Sequence, residues 1–214
     1  MAWYYHQPKE NYETPIQTTQ LKKITVIDYG AGNLASVRYA LERLGVKVEL
    51  TTDPKTLIKA EKVIFPGVGH AAAAMTALRA TGLGDVIPRL QVPVLGICLG
   101  MQLMCSATEE GNVNGLGIFS GKVIRFAPGL KVPHMGWNVL TDLNSPLFIG
   151  MGKTISTYFV HSYFVPAGME TTAVTEYGVS FSAALQKNNF HAVQFHPEKS
   201  GLVGARILRQ FIKL

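Results

Sequence analysis

From Leu21 onward the chain alternates two periodicities. Short apolar runs rich in β-branched residues are followed by stretches whose apolar positions recur every three or four residues, the pattern of strands and helices wound around a mainly parallel sheet. Residues 24–27 form the first run. It closes at Asp28-Tyr29-Gly30-Ala31-Gly32-Asn33, after which Leu34, Val37, Ala40, Leu41 and Leu44 share one face of a helix that stops at Gly45. Further strands fall at 46–50, 63–65 and 93–97; helices open at Asp53-Pro54, span 71–78 and begin at Leu99. Beyond Gly111 the runs shorten and Gly, Pro and Asn separate them. Strands near 121–126, 137–141, 153–159, 172–176, 181–186 and 191–195 are expected as antiparallel additions, before a closing helix over 204–214 with Ile207, Leu208, Phe211 and Ile212 on its apolar side. The fold class expected is α/β, a mainly parallel central sheet flanked by helices with additional antiparallel strands.

Composition narrows the class. With 214 residues, 47% of them hydrophobic and 16% charged, the chain builds one core of its own and is neither disordered nor a coiled coil. No repeat or linker divides residues 21–214, which read as one domain. Residues 1–20 are polar, carry two prolines and lack an apolar segment, so they read as an appended flexible extension and not as a secretion signal. The most apolar stretch, 92–105, is too short for a membrane span and is interrupted by Pro93 and Gln102. Two cysteines, Cys98 and Cys105, lie on one helical stretch roughly 10 Å apart, beyond disulfide reach. Free thiols point to a reducing, cytoplasmic setting. The net charge of +6 invites a nucleic-acid reading, but the basic residues are scattered, with Lys22-Lys23 the one adjacent pair. A solvated basic surface, or one that meets an acidic protein partner, accounts for it.

The candidate chemistry centres on Gly96-Ile97-Cys98-Leu99-Gly100, which sets a cysteine between glycines where a strand runs into a helix. That is the pattern of a nucleophile elbow: the tight turn pushes the side chain out of the sheet, and the helix N-terminus favours a thiolate. The plain alternative is a small buried thiol, which is how Cys105 reads. A cysteine nucleophile needs an imidazole and a group to orient it. His196-Pro197-Glu198 supplies both, because proline favours extended geometry before it and positions two apart on an extended segment share a face. Pro66-Gly67-Val68-Gly69 leaves the preceding strand at the same sheet edge, where its amides and that of Leu99 can serve as an oxyanion hole; read alone, it is a turn. Gly30-Ala31-Gly32 fails as a dinucleotide fingerprint, since Ala35 stands at the third glycine. No metal or cofactor is implied.

Taken together, the elbow with its following Met101-Gln102 and the His196-Pro197-Glu198 segment about a hundred residues later resembles the class I, triad-type glutamine amidotransferases, a flavodoxin-like family. Five segments are similar, in order, to the glutaminase subunits of imidazole glycerol phosphate synthase. They are 28–34, 66–69, Pro133-His134-Met135-Gly136-Trp137-Asn138, Tyr158-Phe159-Val160-His161-Ser162-Tyr163 and 196–201. The resemblance spans residues 24–214. It implies that Cys98 attacks the side-chain amide of glutamine, His196 protonates the departing ammonia, Glu198 orients His196, and water releases glutamate from a thioester. It assigns the amino-acid end of glutamine to Gln102 and Glu110, with the Gln102 amide beside the substrate carboxylate, assisted by backbone near Ser162 and Tyr163. It further implies a heterodimer with a (β/α)8-barrel cyclase that receives the ammonia for histidine biosynthesis, and sets His134, Trp137, Asn138, Tyr158 and Lys199 toward that partner.

Two other readings are compatible with these residues. One is a glutaminase subunit of a paralogous amidotransferase, such as one amidinating a surface-polysaccharide sugar; the other is a catalytically silent partner-binding subunit. The extension and the run of four alanines after His70 depart from the family pattern.

Overall fold

The computed structural model describes residues 23–30 and 34–214. The expected extension over 1–20 and the turn residues 31–33 lie outside them. The order is β1 (Lys23–Ile27), α1 (Leu34–Glu42), β2 (Lys47–Thr51), α2 (Pro54–Ile58), β3 (Val63–Phe65), α3 (Ala71–Ala80), α4 (Leu83–Val86), β4 (Val94–Ile97) and α5 (Leu99–Met104). The chain continues through β5 (Ala107–Thr108), β6 (Val113–Asn114), β7 (Lys122–Arg125), β8 (His134–Leu140), β9 (Ile155–His161), β10 (Tyr163–Phe164), β11 (Thr171–Glu176), β12 (Ser180–Lys187), β13 (Phe190–Val193) and α6 (Gly201–Lys213). Among the described residues no helix is long and apolar enough to cross a membrane.

The central sheet has seven strands in the order β11-β12-β13-β4-β3-β1-β2. The five strands from β13 to β2 are parallel to one another, and the β11–β12 and β12–β13 pairs are antiparallel. Here the expectation for 191–195 needs correction. This segment is the fifth parallel strand, paired with β4 on one side and antiparallel to β12 on the other. Its residues Phe190 to Val193 are all buried, as a strand covered on both faces requires. Apolar side chains fill both faces: Val37, Leu41, Ile207 and Phe211 from α1 and α6 on one, Leu78, Leu83 and Met101 from α3, α4 and α5 on the other. β11 and β12 extend the main sheet as expected, and the remaining late strands leave it. β10, β7, β5 and β6 form a small sheet, and β8 pairs with β9 alone as a ribbon whose Leu140 and Phe159 reach into the core.

The register levels the ends of three neighbouring strands. Phe65 pairs with Gly96 and Ile97 with Val193, so the segments after β3, β4 and β13 emerge side by side. Close packing holds α5 against this edge. A Cβ on Gly100 would fall on the carbonyl oxygen of Phe65, and one on Gly96 would lie 2.8 Å from Met104 Sδ and 3.0 Å from Met101 N. The Phe65 contact is with the main chain of the neighbouring strand and has little room to yield, whereas the Met104 side chain at Gly96 can shift. Gly100→Ala is therefore expected to lower unfolding stability by about 2–3 kcal/mol in urea titrations with an unchanged m-value; a loss under about 0.5 kcal/mol would show that the Phe65 contact yields freely.

Candidate active site

Cys98 occupies the junction of β4 and α5 with φ 53° and ψ −108°, a conformation unfavourable for a residue with a Cβ. Main-chain bonds hold it there: its N–H donates to the Val193 carbonyl at 2.8 Å, and its carbonyl accepts the Gln102 N–H at 3.2 Å. His196 follows β13, with its N–H donating to the Tyr158 carbonyl at 2.9 Å. The backbone at His196 is extended as expected, but residues Pro197–Lys199 then form a turn of 3-10 helix. Glu198 thus reaches the ring from a turn and not from the next position of an extended strand. His196 Nδ1 donates to Glu198 Oε1 at 2.8 Å, with both side chains almost fully buried. Ser200 closes the turn, donating to the His196 carbonyl at 2.7 Å and accepting from Tyr158 N–H at 3.0 Å.

The bond to Glu198 leaves Nε2 of His196 directed away from the carboxylate, buried and without a hydrogen bond. Cys98 is near enough to act on its charge. Burial alone lowers the basicity of His196, but the Cys98 sulfur and the Glu198 carboxylate outweigh it and hold the imidazole up at about 10. This arrangement favours an imidazolium beside the sulfur. The thiol opens into a pocket of about 350 Å3 lined by Val68, Gly69, Leu99, Gln102, Glu110, Ser162, Tyr163, His161 and Lys199, among others. Gly67 lies behind it: a Cβ there would meet the Tyr29 hydroxyl, which donates to the Pro66 carbonyl at 3.1 Å. Tyr29 is thus the buttress of the 66–69 loop, and its burial, with the nearby Cys98, pushes its phenol up.

A profile described as glutamine amidotransferase class-I matches residues 25–214. The curated relatives include imidazole glycerol phosphate synthase subunit HisH of Bacteroides fragilis, 55% identical over 90% of this chain and 100% of that protein. They also include HisH of Haemophilus influenzae, 49% identical over 90% of this chain and 98% of its own length. The chain belongs to the class I glutamine amidotransferases, in the HisH family. Among solved structures, a glutamine amidotransferase superposes with TM-score 0.70 at 19% identity, covering 89% of this chain and 97% of that one. PurLQS from Thermotoga maritima gives 0.69 at 17%, covering 91% and 99%. Such low identities speak for the fold.

Other expected site residues fall into two groups. Glu110 lines the pocket and is fixed through Oε2, which accepts the Ala71 N–H at 2.8 Å. His70 caps the same helix, its Nδ1 accepting from Ala72 N–H at 3.2 Å; the small Ala72 lets the turn at Gly111 pack against it, which gives the alanine run a local reason. Gln102 is buried, and both protons of its Nε2 are committed, to the Tyr163 carbonyl at 2.9 Å and to Gln194 Oε1 at 3.0 Å. It has no N–H left for a substrate carboxylate and offers the pocket only its carbonyl oxygen, as an acceptor. Trp137 and Lys199 are exposed and Asn138 and Tyr158 half-buried, whereas His134, expected on the same face, is buried. The alternation of β8 turns it inward, away from Met135 and Trp137.

His134 belongs to a directed string of hydrogen bonds that the sequence did not suggest. The Tyr163 carbonyl accepts from His161 Nδ1 at 2.7 Å, so His161 Nε2 is an acceptor, taking the Nδ1 proton of His134 at 3.0 Å; His134 Nε2 then accepts from Asn138 Nδ2 at 3.3 Å. Burial keeps both rings neutral, lowering His134 to about 4 and, against the bond to the Tyr163 carbonyl and with smaller contributions from His134 and His196, His161 to about 3. Unfolded histidines bind protons from about 6.5 downward. The sign follows: these two rings cost the folded state stability as pH falls from about 6.5 toward 3, whereas His196 adds stability below about 6.5 that is lost as pH rises through about 10. Urea midpoints should accordingly fall between pH 6.5 and 4, and His161→Gln should flatten that fall while lowering the midpoint at pH 7. An unaltered slope in the variant would contradict this account.

Proposed function

We propose that this chain is the glutaminase subunit of an imidazole glycerol phosphate synthase, with residues 21–214 as the catalytic unit. The observation that carries the reading is the buried alignment of Cys98, His196 and Glu198 at the ends of two adjacent parallel strands, opening on one pocket. The Cys98 thiolate attacks the side-chain carbonyl of glutamine. The amides of the Val68 region and of Leu99 face the oxygen that gains charge, and His196, oriented by Glu198, passes its proton to the leaving ammonia as the carbon–nitrogen bond breaks. Water, deprotonated by His196, then opens the thioester and gives glutamate and the free thiol. Glu110 and the carbonyl oxygen of Gln102 suit the substrate's α-ammonium group, and the backbone of Ser162 and Tyr163 its carboxylate. No cofactor is needed for this hydrolysis, and a reducing cytoplasm keeps Cys98 competent.

The ribbon β8–β9 supports the partner reading. Met135, Trp137 and Val139 alternate outward on β8 and are 62%, 59% and 47% exposed, an apolar stripe that is costly to leave in water. Tyr158 packs edge-on to Trp137 with ring centres 6.2 Å apart. The stripe adjoins the pocket mouth, where Pro133 and Lys199 line the opening. Its fitting occupant is the barrel cyclase, which would take ammonia directly from the pocket and draw this basic chain to an acidic face.

Glutamate release from glutamine by the purified chain should be slow, rise more than about tenfold with the cyclase and its nucleotide ligand present, and fall by at least about a thousandfold in Cys98→Ser. Equal turnover with and without cyclase would defeat the partner reading; activity confined to a partner acting on a sugar substrate would favour the paralogous pathway. Trp137→Glu should weaken association with the cyclase by about tenfold or more in calorimetry while leaving Cys98 reactive toward a glutamine-mimicking electrophile.

A further inference from the structure

Gln194 stands two residues before His196, fully buried just past the end of β13, a strand otherwise apolar apart from His191. Its orientation is set by its neighbours. The Tyr163 carbonyl can only accept, so the end of Gln102 that faces it is the nitrogen; that same nitrogen lies 3.0 Å from Gln194, which must therefore present its oxygen there. The amide nitrogen of Gln194 is left on the opposite side, where it meets Cys98 Sγ at 3.7 Å. The sulfur's other polar neighbours are the His196 ring, whose charge it favours, and the Val160 carbonyl, 3.9 Å away, which can only accept from it.

We propose that Gln194 is a further catalytic residue, whose Nε2–H donates to the Cys98 sulfur, stabilises the thiolate and holds it in the orientation for attack. The inference rests on Cys98 being the nucleophile. A hydrogen bond strengthens when its acceptor becomes charged, so a donor aimed at the sulfur favours the thiolate over the thiol. A neutral amide does this without adding a second cation beside His196, which keeps the imidazole's proton available for the leaving ammonia. The titratable groups around the sulfur are His196 with Glu198 after β13, Tyr29 after β1, His161 on β9, Glu110 after β5 and Lys199 at the rim. None of them sets the amide's direction.

Gln194→Met, which keeps the length and removes the donor, tests this in the full chain. Alkylation of Cys98 by iodoacetamide, followed by site-resolved mass spectrometry so that Cys105 is counted separately, should shift to higher pH by about one unit, roughly tenfold slower near neutrality. In the complex with the cyclase, glutamine kcat should fall roughly tenfold with KM nearly unchanged. A merely structural amide would lower the melting temperature and leave the pH profile where it was, which overturns the proposal. Should the variant not fold, the wild-type protein decides: the Gln194 side-chain amide protons, followed by NMR, should move with the same pH step that governs alkylation and lose that step in Cys98→Ser. Amide signals indifferent to that step overturn it too. If Cys98 alkylates at no pH, the nucleophile reading fails and the proposal with it; if Cys98 alkylates identically with and without Gln194, the proposal alone fails.

Discussion

The turn at Cys98 is held by main chain that approaches too closely for a side chain on either flank. The Phe65 carbonyl sits where a Cβ of residue 100 would go, and α5 crowds one of residue 96, with Met101 N at 3.0 Å and Met104 Sδ at 2.8 Å. These contacts tie β3, β4 and α5 into one rigid corner, and a cysteine with φ 53° is affordable only because that corner over-determines it. Everything else at the site is placed relative to it. The loop after β3 lies alongside because β3 pairs with β4, and His196 lies on the other side because β13 pairs there. A parallel sheet delivers three consecutive strand ends to one edge, and catalytic geometry follows from strand order.

Around that corner the histidines divide by environment. His196 has an acid on each side and is held protonated against its own burial, whereas His134 and His161 share neutral hydrogen bonds and are kept uncharged by burial. The difference lies in the partners. A carboxylate and a thiolate compensate a cation; a carbonyl, an amide and a second imidazole do not. Proton chemistry is thereby confined to the ring beside the sulfur.

Strand β8 serves two surfaces at once. Its odd positions present Met135, Trp137 and Val139 outward, and its even positions carry His134 and Asn138 toward the string that ends on the Tyr163 carbonyl. On that carbonyl the string meets Gln102, and through Gln102 it meets Gln194 and Cys98. One side of β8 thus carries the exposed apolar stripe, and its other side is joined to the pocket residues through directed hydrogen bonds.

Much of this was legible in the chain. The alternating periodicities located β1 to β4, α1, α3, α5 and α6 to within a few residues, because long apolar faces and glycine stops are local signals. Gly96-Ile97-Cys98-Leu99-Gly100 and His196-Pro197-Glu198 could be read as elbow and acid-base pair for the same reason: each is one short stretch of chain with its own steric logic. The two-residue strands β5, β6 and β10 were invisible, since so few residues carry no period. The direction of β13, the burial of His134, the spent amide protons of Gln102 and the place of Gln194 depend on residues far apart in the chain. A hydrogen bond from residue 102 to 194, or a strand inserted between β4 and β12, is a consequence of pairing and packing, and no local pattern encodes which distant group will take up a buried donor. The chain by itself determined the chemistry on offer, a thiol on a strained turn and an imidazole with its carboxylate; the tertiary structure decided which groups surround them, because only closing the sheet brings those groups within bonding distance.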